Sequence, residues 1–232
     1  MAQSEKAYFS EEQNLFKKVE NITINTQSGE RQLSEWYSQK PVLLTFVFSR
    51  CTGICSPSVL LLSEHLMQLK APNNFKVIVL SFDPKDSLTN MEYFAKRLQL
   101  DHNPQWFFGT TNEINSITHQ MAFEYNWDSL QQQYDHDALL IGINQNGYIV
   151  KKMLGIRDAH ALKEMIAAIE DKFIPSHPLP GKNNLFSCFS YDPVSGAIKP
   201  SMGLLILLLP ALLTLIIVLV LSFKRQKKEV VN

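Results

Sequence analysis

Residues 41 to 70, "PVLLTFVFSRCTGICSPSVLLLSEHLMQLK", set the reading of the whole chain. The run from Pro41 to Ser49 is almost wholly apolar, as expected of a central strand covered on both faces. From Pro57 to Lys70, Leu60, Leu61, Met67 and Leu69 surround Glu64 and His65, an amphipathic helical pattern with Pro57 in its first turn. Between strand and helix lie Cys51 and Cys55, four residues apart, two of only three cysteines in 232 residues. Such a pair is a disulfide, a redox centre, a metal site or two buried thiols. The amides and dipole of a helix N-terminus favour a thiolate, which argues against inert thiols.

Reading outward, "NITINTQSGERQ" (Asn21 to Gln32) alternates about Ser28-Gly29 as a β-hairpin would. Phe75 to Asp83, "FKVIVLSFD", is a second buried strand, followed by a helix over Ser87 to Leu100 with Met91, Phe94, Ala95 and Leu98 on one face. Gln105 to Gly109 is a short strand and Asn112 to Ala122 a short helix. "ALLIGINQNGYIVKKML" (Ala138 to Leu154) is a hairpin turning at Asn146-Gly147. The last helix runs from Asp158, its cap, to Lys172, and buries Leu162, Met165, Ile166 and Ile169. Helices alternating with buried strands, closed by a hairpin, predict an α/β thioredoxin-like mixed sheet with flanking helices.

Residues 1–20 precede this domain, which is expected over 21–173; a proline-containing arm covers 174–199. Between Lys199 and Lys224 no charge occurs, so residues 200–223 predict a C-terminal transmembrane helix that tolerates Pro210. Lys224, Arg225, Lys227 and Lys228 follow it, which places the 224–232 tail in the cytoplasm and the domain outside, on a single-pass inner (cytoplasmic) membrane protein. An exported domain needs a leader; Met1 to Gln13 contains no apolar core, so removal of a signal peptide is expected. The formal net charge is zero and basic residues are scattered, which argues against a nucleic-acid partner.

The chemistry of the pair depends on spacing. In a regular helix, residues four apart have Cβ atoms about 5–6 Å apart, more than the ~3.5–4.5 Å of a disulfide. A disulfide would need a non-helical turn, which Gly53 permits; a metal could span the gap instead. Two thiolates and one imidazole form a soft set suited to Cu(I) or Zn(II).

The blocks "FVFSRCTGICSPSVLLLSEHL", "SFDPKDSLTNMEYFAKRL", "WFFGTTNEINSITHQMAFEY" and "YDHDALLIGINQNGYIVKKMLG" resemble the Sco/SenC family over residues 20 to 172. That resemblance implies a thioredoxin fold, a membrane anchor outside the cytoplasm, and copper, as Cu(I) or Cu(II), handled for the binuclear copper centre of cytochrome c oxidase. It implies Cys51, Cys55 and His136 as metal ligands. The implied partners are the oxidase copper-centre subunit, other copper chaperones or thiol reductants. The chain departs from the family where Ser56 separates Cys55 from Pro57, and in Thr52-Gly53-Ile54 between the cysteines. Asp83 and Asp86 read as turn and cap residues, and Asp135 as a partner that could orient His136. A rival reading is a thiol-disulfide oxidoreductase that keeps oxidase-subunit cysteines reduced, with Cys51 and Cys55 as its redox-active pair. Cys188, in the arm, reads as a packing residue, a partner thiol or an onward copper ligand.

Overall fold

A computed structural model of the chain describes residues 11–71, 73–156, 158–172, 189–191, 198–200 and 214. The chain divides into two units, Met1–Ile174 and Pro175–Asn232. Elements of the first unit are β1 (Thr23–Thr26), β2 (Gly29–Gln32), α1 (Leu33–Gln39), β3 (Val42–Val47), α2 (Cys55–Gln68), β4 (Lys76–Ser81), α3 (Leu88–Arg97) and β5 (Trp106–Thr110). They are followed by α4 (Ile114–Gln120), β6 (Tyr125–Asp128), β7 (Gln133–His136), β8 (Leu139–Ile143), β9 (Ile149–Leu154) and α5 (Ala159–Ile169).

Seven strands form one sheet in the order β2-β1-β5-β4-β3-β8-β9. β3, β4 and β5 run parallel, with Val42 opposite Lys76 and Val77 opposite Trp106. The antiparallel members lie outside them: β8 and β9 on one side, β1 and β2 on the other. Every residue of β3 and β4 is buried, as their unbroken apolar runs require when helices cover both faces. This is the expected thioredoxin-like mixed sheet. At the β8–β9 turn Gly147 has φ of 81°, and a Cβ there would lie 2.7 Å from Cζ of Tyr37. Glycine is therefore needed twice over, for conformation and for space.

Among the described residues two helices carry side-chain caps, of which Asp158 was the expected one. Ser87 and Asn90 form a capping box on α3, and the Asp158 carboxylate accepts the Ala161 N–H at 2.7 Å on α5. Their predicted inner faces are the observed ones, with Met91, Phe94, Ala95 and Leu98 buried on and just after α3 and Leu162, Met165, Ile166 and Ile169 buried on α5. For α2 the predicted face is corrected. Val59, Leu62, Ser63 and Leu66 point inward, while Leu60 and Met67 are exposed. The helix begins two residues earlier than the Pro57 start implied, and α5 packs beside it. Three elements of the first unit were absent from the sequence reading: α1, and β6 and β7, which pair antiparallel as a ribbon apart from the main sheet with Tyr125 opposite His136.

Residues ahead of β1 also join the first unit. The Phe16 N–H donates to the Ile149 carbonyl at 2.7 Å, Val19 N–H to that of Gly147 at 2.8 Å, and Val19 is buried.

In the second unit, β10 (Phe189–Tyr191) and β11 (Ile198–Pro200) pair antiparallel. The expected membrane helix lies outside the described residues save Pro200 and Thr214, and so do Cys188 and the basic tail. Among the described residues no helix is long and apolar enough to cross a membrane.

Candidate metal centre

The loop leaving β3 delivers the two cysteines to the start of α2. The Cys51 N–H donates to the Phe48 carbonyl at 3.2 Å, which closes a tight turn after the strand. Residues 51 to 54 are not helical, and Cys55 is the first helical residue. The regular-helix separation of residues four apart therefore does not apply to this pair, and the open turn brings the sulfurs together. Cys55 is buried, Cys51 half-buried, and both are free thiols.

His136 arrives from the last position of β7, and its Nε2 lies 3.5 Å from the Cys55 Sγ. The Cys51 Sγ, Cys55 Sγ and a His136 ring nitrogen all fall within 4.8 Å of one another. Among the described residues this is the only cluster of three or more such donors. The His136 Nδ1 lies 3.0 Å from the Asp137 carbonyl oxygen. A carbonyl only accepts, so Nδ1 donates to it, and Nε2 is the ring nitrogen that faces the thiols. The orienting group is thus the Asp137 backbone; Asp135, exposed on the alternate face of the strand, does not fill that role.

The imidazole is wedged against aromatic rings. Its centroid lies 5.0 Å from that of Phe82, 5.6 Å from Phe48 and 5.8 Å from Phe123. Tyr134 packs on both Phe48 and Phe82 at 5.2 Å. These rings fix the imidazole plane and exclude water from one side, leaving the thiol side open.

The two thiols are electrostatically unlike. The Cys55 side chain hydrogen-bonds Cys51 and holds its pKa down to about 4; contact with His136 and the N–H groups of Cys55 and Gly53 add to this, against the opposing effect of burial. Cys55 moves the other way, well above the ordinary thiol range, because it supplies that hydrogen bond, is buried, and sits beside the Cys51 charge. The pair thus retains one proton, held on the inner sulfur.

The "DPKD" aspartates do more than turn the chain. The buried Asp83 carboxylate pairs with the Arg50 guanidinium next to Cys51 and accepts the Lys85 N–H at 2.9 Å. Asp86 accepts the Ser49 N–H at 2.7 Å and the Ser81 hydroxyl at 2.6 Å. Together they tether the cysteine loop to the end of β4. Ser56, where the family pattern places proline, accepts a hydrogen bond from the Arg97 guanidinium at 3.0 Å. Gln133 was also missed: its Oε1 accepts the Thr52 N–H and its Nε2 donates to the Arg50 carbonyl, each at 3.3 Å. These partners of the cysteine loop lie 33 to 83 residues away in sequence, and no local pattern announces them.

A family model described as SCO1/SenC matches residues 11–171. The chain belongs to the SCO1/SenC family. No curated protein sequence matches it. Among solved structures it is similar to a candidate electron transfer protein from Aquifex aeolicus, with TM-score 0.64 and 20% identity over 71% of this chain and 99% of that one. It is similar to ScoI of Arabidopsis thaliana, solved with copper bound, with TM-score 0.56 and 18% identity over 66% of this chain and 98% of that one. It is also similar to BsSco, described as having a disulfide switch and as a member of the Sco family of cytochrome c oxidase assembly proteins. There the TM-score is 0.56, with 21% identity over 67% of this chain and 95% of that one.

The donor set of this SCO1/SenC chain fits a soft metal ion. Metal–sulfur bonds of about 2.3 Å and metal–nitrogen bonds of about 2.0 Å need donors roughly 3.3–4 Å apart. The observed 3.5 Å and the 4.8 Å limit are within a small side-chain adjustment of that. Two sulfurs and one imidazole favour Cu(I) or Zn(II) over hard cations.

Proposed function

We propose that this chain is a copper-handling protein that assists assembly of the binuclear copper centre of cytochrome c oxidase. Copper is its cargo, held by Cys51, Cys55 and His136 as Cu(I) and surrendered by ligand exchange to the oxidase copper-centre subunit. The carrying observation is the convergence of these three donors at one open corner of the domain. Family membership and a relative solved with copper bound support it, and a relative described as an oxidase assembly protein supports the destination. Thiolates ligate and disulfides do not, so reduction of the pair gates loading. Cys51 is already poised as a thiolate, and an arriving cation takes the place of the Cys55 proton.

The same proposal includes the anchor. The uncharged segment 200–223 and the basic tail support an inner-membrane seat with the domain outside, where copper chaperones and thiol reductants would be its other partners.

The test is a Cu(I) competition titration of the full chain, wild type against His136→Ala. One tight equivalent, weakened by about tenfold or more in the variant, is expected. Binding that is indifferent to His136, or absent, contradicts it. A second reading, thiol-disulfide oxidoreductase, is favoured by the split between a low-pKa, half-exposed Cys51 and a protonated, buried Cys55. That is the asymmetry of an attacking and a resolving thiol. Rapid reduction of a peptide disulfide by a chain that fails to bind copper selects that reading.

A further inference from the structure

We propose that Gln133 is a positioning residue: its side-chain amide clamps the backbone on both sides of Cys51 and holds that thiol at a spacing suited to a shared metal rather than to a disulfide. The clamp has two points. Oε1 accepts from the N–H of Thr52 and Nε2 donates to the carbonyl of Arg50, both at 3.3 Å. One amide thus pairs with the two peptide groups flanking a single residue, as a neighbouring strand would, and it fixes the direction in which Cys51 leaves the loop.

The other two donors need no such device. Cys55 is fixed by its place in α2 and by burial. His136 is fixed by Phe48, Phe82 and Phe123 and by the Asp137 carbonyl. Cys51 sits in an irregular turn; its own N–H is held by the Phe48 carbonyl, and the other side-chain restraints act on neighbours, Asp86 on Ser49 and Asp83 on Arg50. Gly53 adds no side-chain restraint, though its N–H and that of Cys55 reach the Cys51 sulfur. Gln133 is three residues before His136 on the same strand. The clamp therefore sets cysteine loop and histidine strand in register directly, over a separation of 81 residues.

A disulfide demands sulfurs about 2.05 Å apart with Cβ atoms about 3.5–4.5 Å apart. Releasing the loop frees Cys51 to reach that geometry. Without Gln133 the pair then closes more readily and presents its three donors together less often.

What the clamp serves rests on the copper reading, but its test contains no metal. The full chain is equilibrated with reduced and oxidised glutathione. The Cys51 and Cys55 thiols form one S–S bond while oxidised glutathione is cleaved to two reduced molecules, two electrons and two protons passing to it. In Gln133→Ala the equilibrium is expected to move several-fold toward the protein disulfide, with the urea unfolding midpoint of the reduced protein unchanged. Amide hydrogen exchange at Thr52 is expected to quicken while that of β3 does not. Gln133→Glu, which keeps the acceptor and loses the donor, should fall between. An unmoved glutathione equilibrium overturns the inference, as does one that moves only in proportion to a lowered unfolding midpoint. Neither outcome bears on whether the wild-type chain takes up Cu(I), so failure of the clamp and failure of the copper reading are separate results.

Discussion

The two halves of the candidate metal centre are built in opposite ways. The cysteine half grows out of β3 and α2, where all six strand residues are buried and the helix presents Val59, Leu62 and Leu66 inward. The histidine half stands on β6 and β7, four residues each, polar and largely half-exposed, paired only with each other. A two-stranded ribbon is marginal by itself. This one is held by the rings of Tyr125 and Tyr134 against Phe48 and Phe82, with Trp127 packed edge-on to Tyr134 within the ribbon. The core thus supplies one immovable sulfur, and the ribbon supplies a nitrogen whose position depends on side-chain contacts. Such a division suits a site that must both hold an ion and release it.

The sharpest way to break the contrast is to cut where the halves meet. Phe82 is fully buried and touches Phe48, Phe123, Tyr125, Tyr134 and His136. Phe82→Ala is expected to cost about 3–5 kcal/mol in urea unfolding, because a cavity opens in the shared core. A loss below about 1 kcal/mol would mean that the ribbon is seated independently of the core.

Next comes the tether of the cysteine loop. Asp86→Ala leaves the Ser49 N–H and the Ser81 hydroxyl without their acceptor. A loss of about 1–3 kcal/mol is expected, with faster alkylation of Cys51. Unaltered stability and reactivity would show that the loop keeps its shape without the aspartate.

The thiol pair gives a pH signature with a definite sign. Between about pH 4, to which Cys51 is lowered, and the ordinary thiol value of about 8.5, the folded pair holds one proton and the unfolded pair two. Stability due to the pair therefore rises with pH over that window. Above it, the raised Cys55 still keeps its proton while the unfolded pair has none, so the contribution falls. Under reducing conditions, the difference in unfolding midpoint between wild type and the Cys51→Ser, Cys55→Ser double variant should peak at about pH 8–9. A difference independent of pH would contradict the shared proton.

The smallest effect is expected at the ribbon's outer edge. Trp127 is 43% exposed and stacks edge-on to Tyr134 at 4.9 Å. Trp127→Ala should lower global stability by roughly 1 kcal/mol or less, while hydrogen exchange speeds up across the ribbon and not in β3. Equal acceleration in both would erase the distinction between the halves.

How legible each half was in the sequence follows from the same contrast. β3, β4 and β8 announced themselves as apolar runs, and the Asn146-Gly147 turn and the Asp158 cap marked element ends by local chemistry. The inner face of α2 was misassigned because Leu60 and Met67 are apolar yet exposed. α1 was missed because it starts directly after a strand with no side-chain cap at Gln32. The ribbon was missed because "YNWD" and "QYDH" are only four residues each and no turn glycine joins them. Its His136 came from a family resemblance and not from periodicity. The contacts of Asp83, Asp86 and Gln133 join residues remote in sequence, and only tertiary structure brings them to the cysteines.

The central claim is that Cys51, Cys55 and His136 bind one copper ion together. X-ray absorption of the full chain loaded with one equivalent of Cu(I) tests it most directly. Two sulfur neighbours and one imidazole nitrogen are expected, with the nitrogen lost in His136→Ala. A copper shell of sulfur alone in the wild type, unchanged by that substitution, would contradict the account.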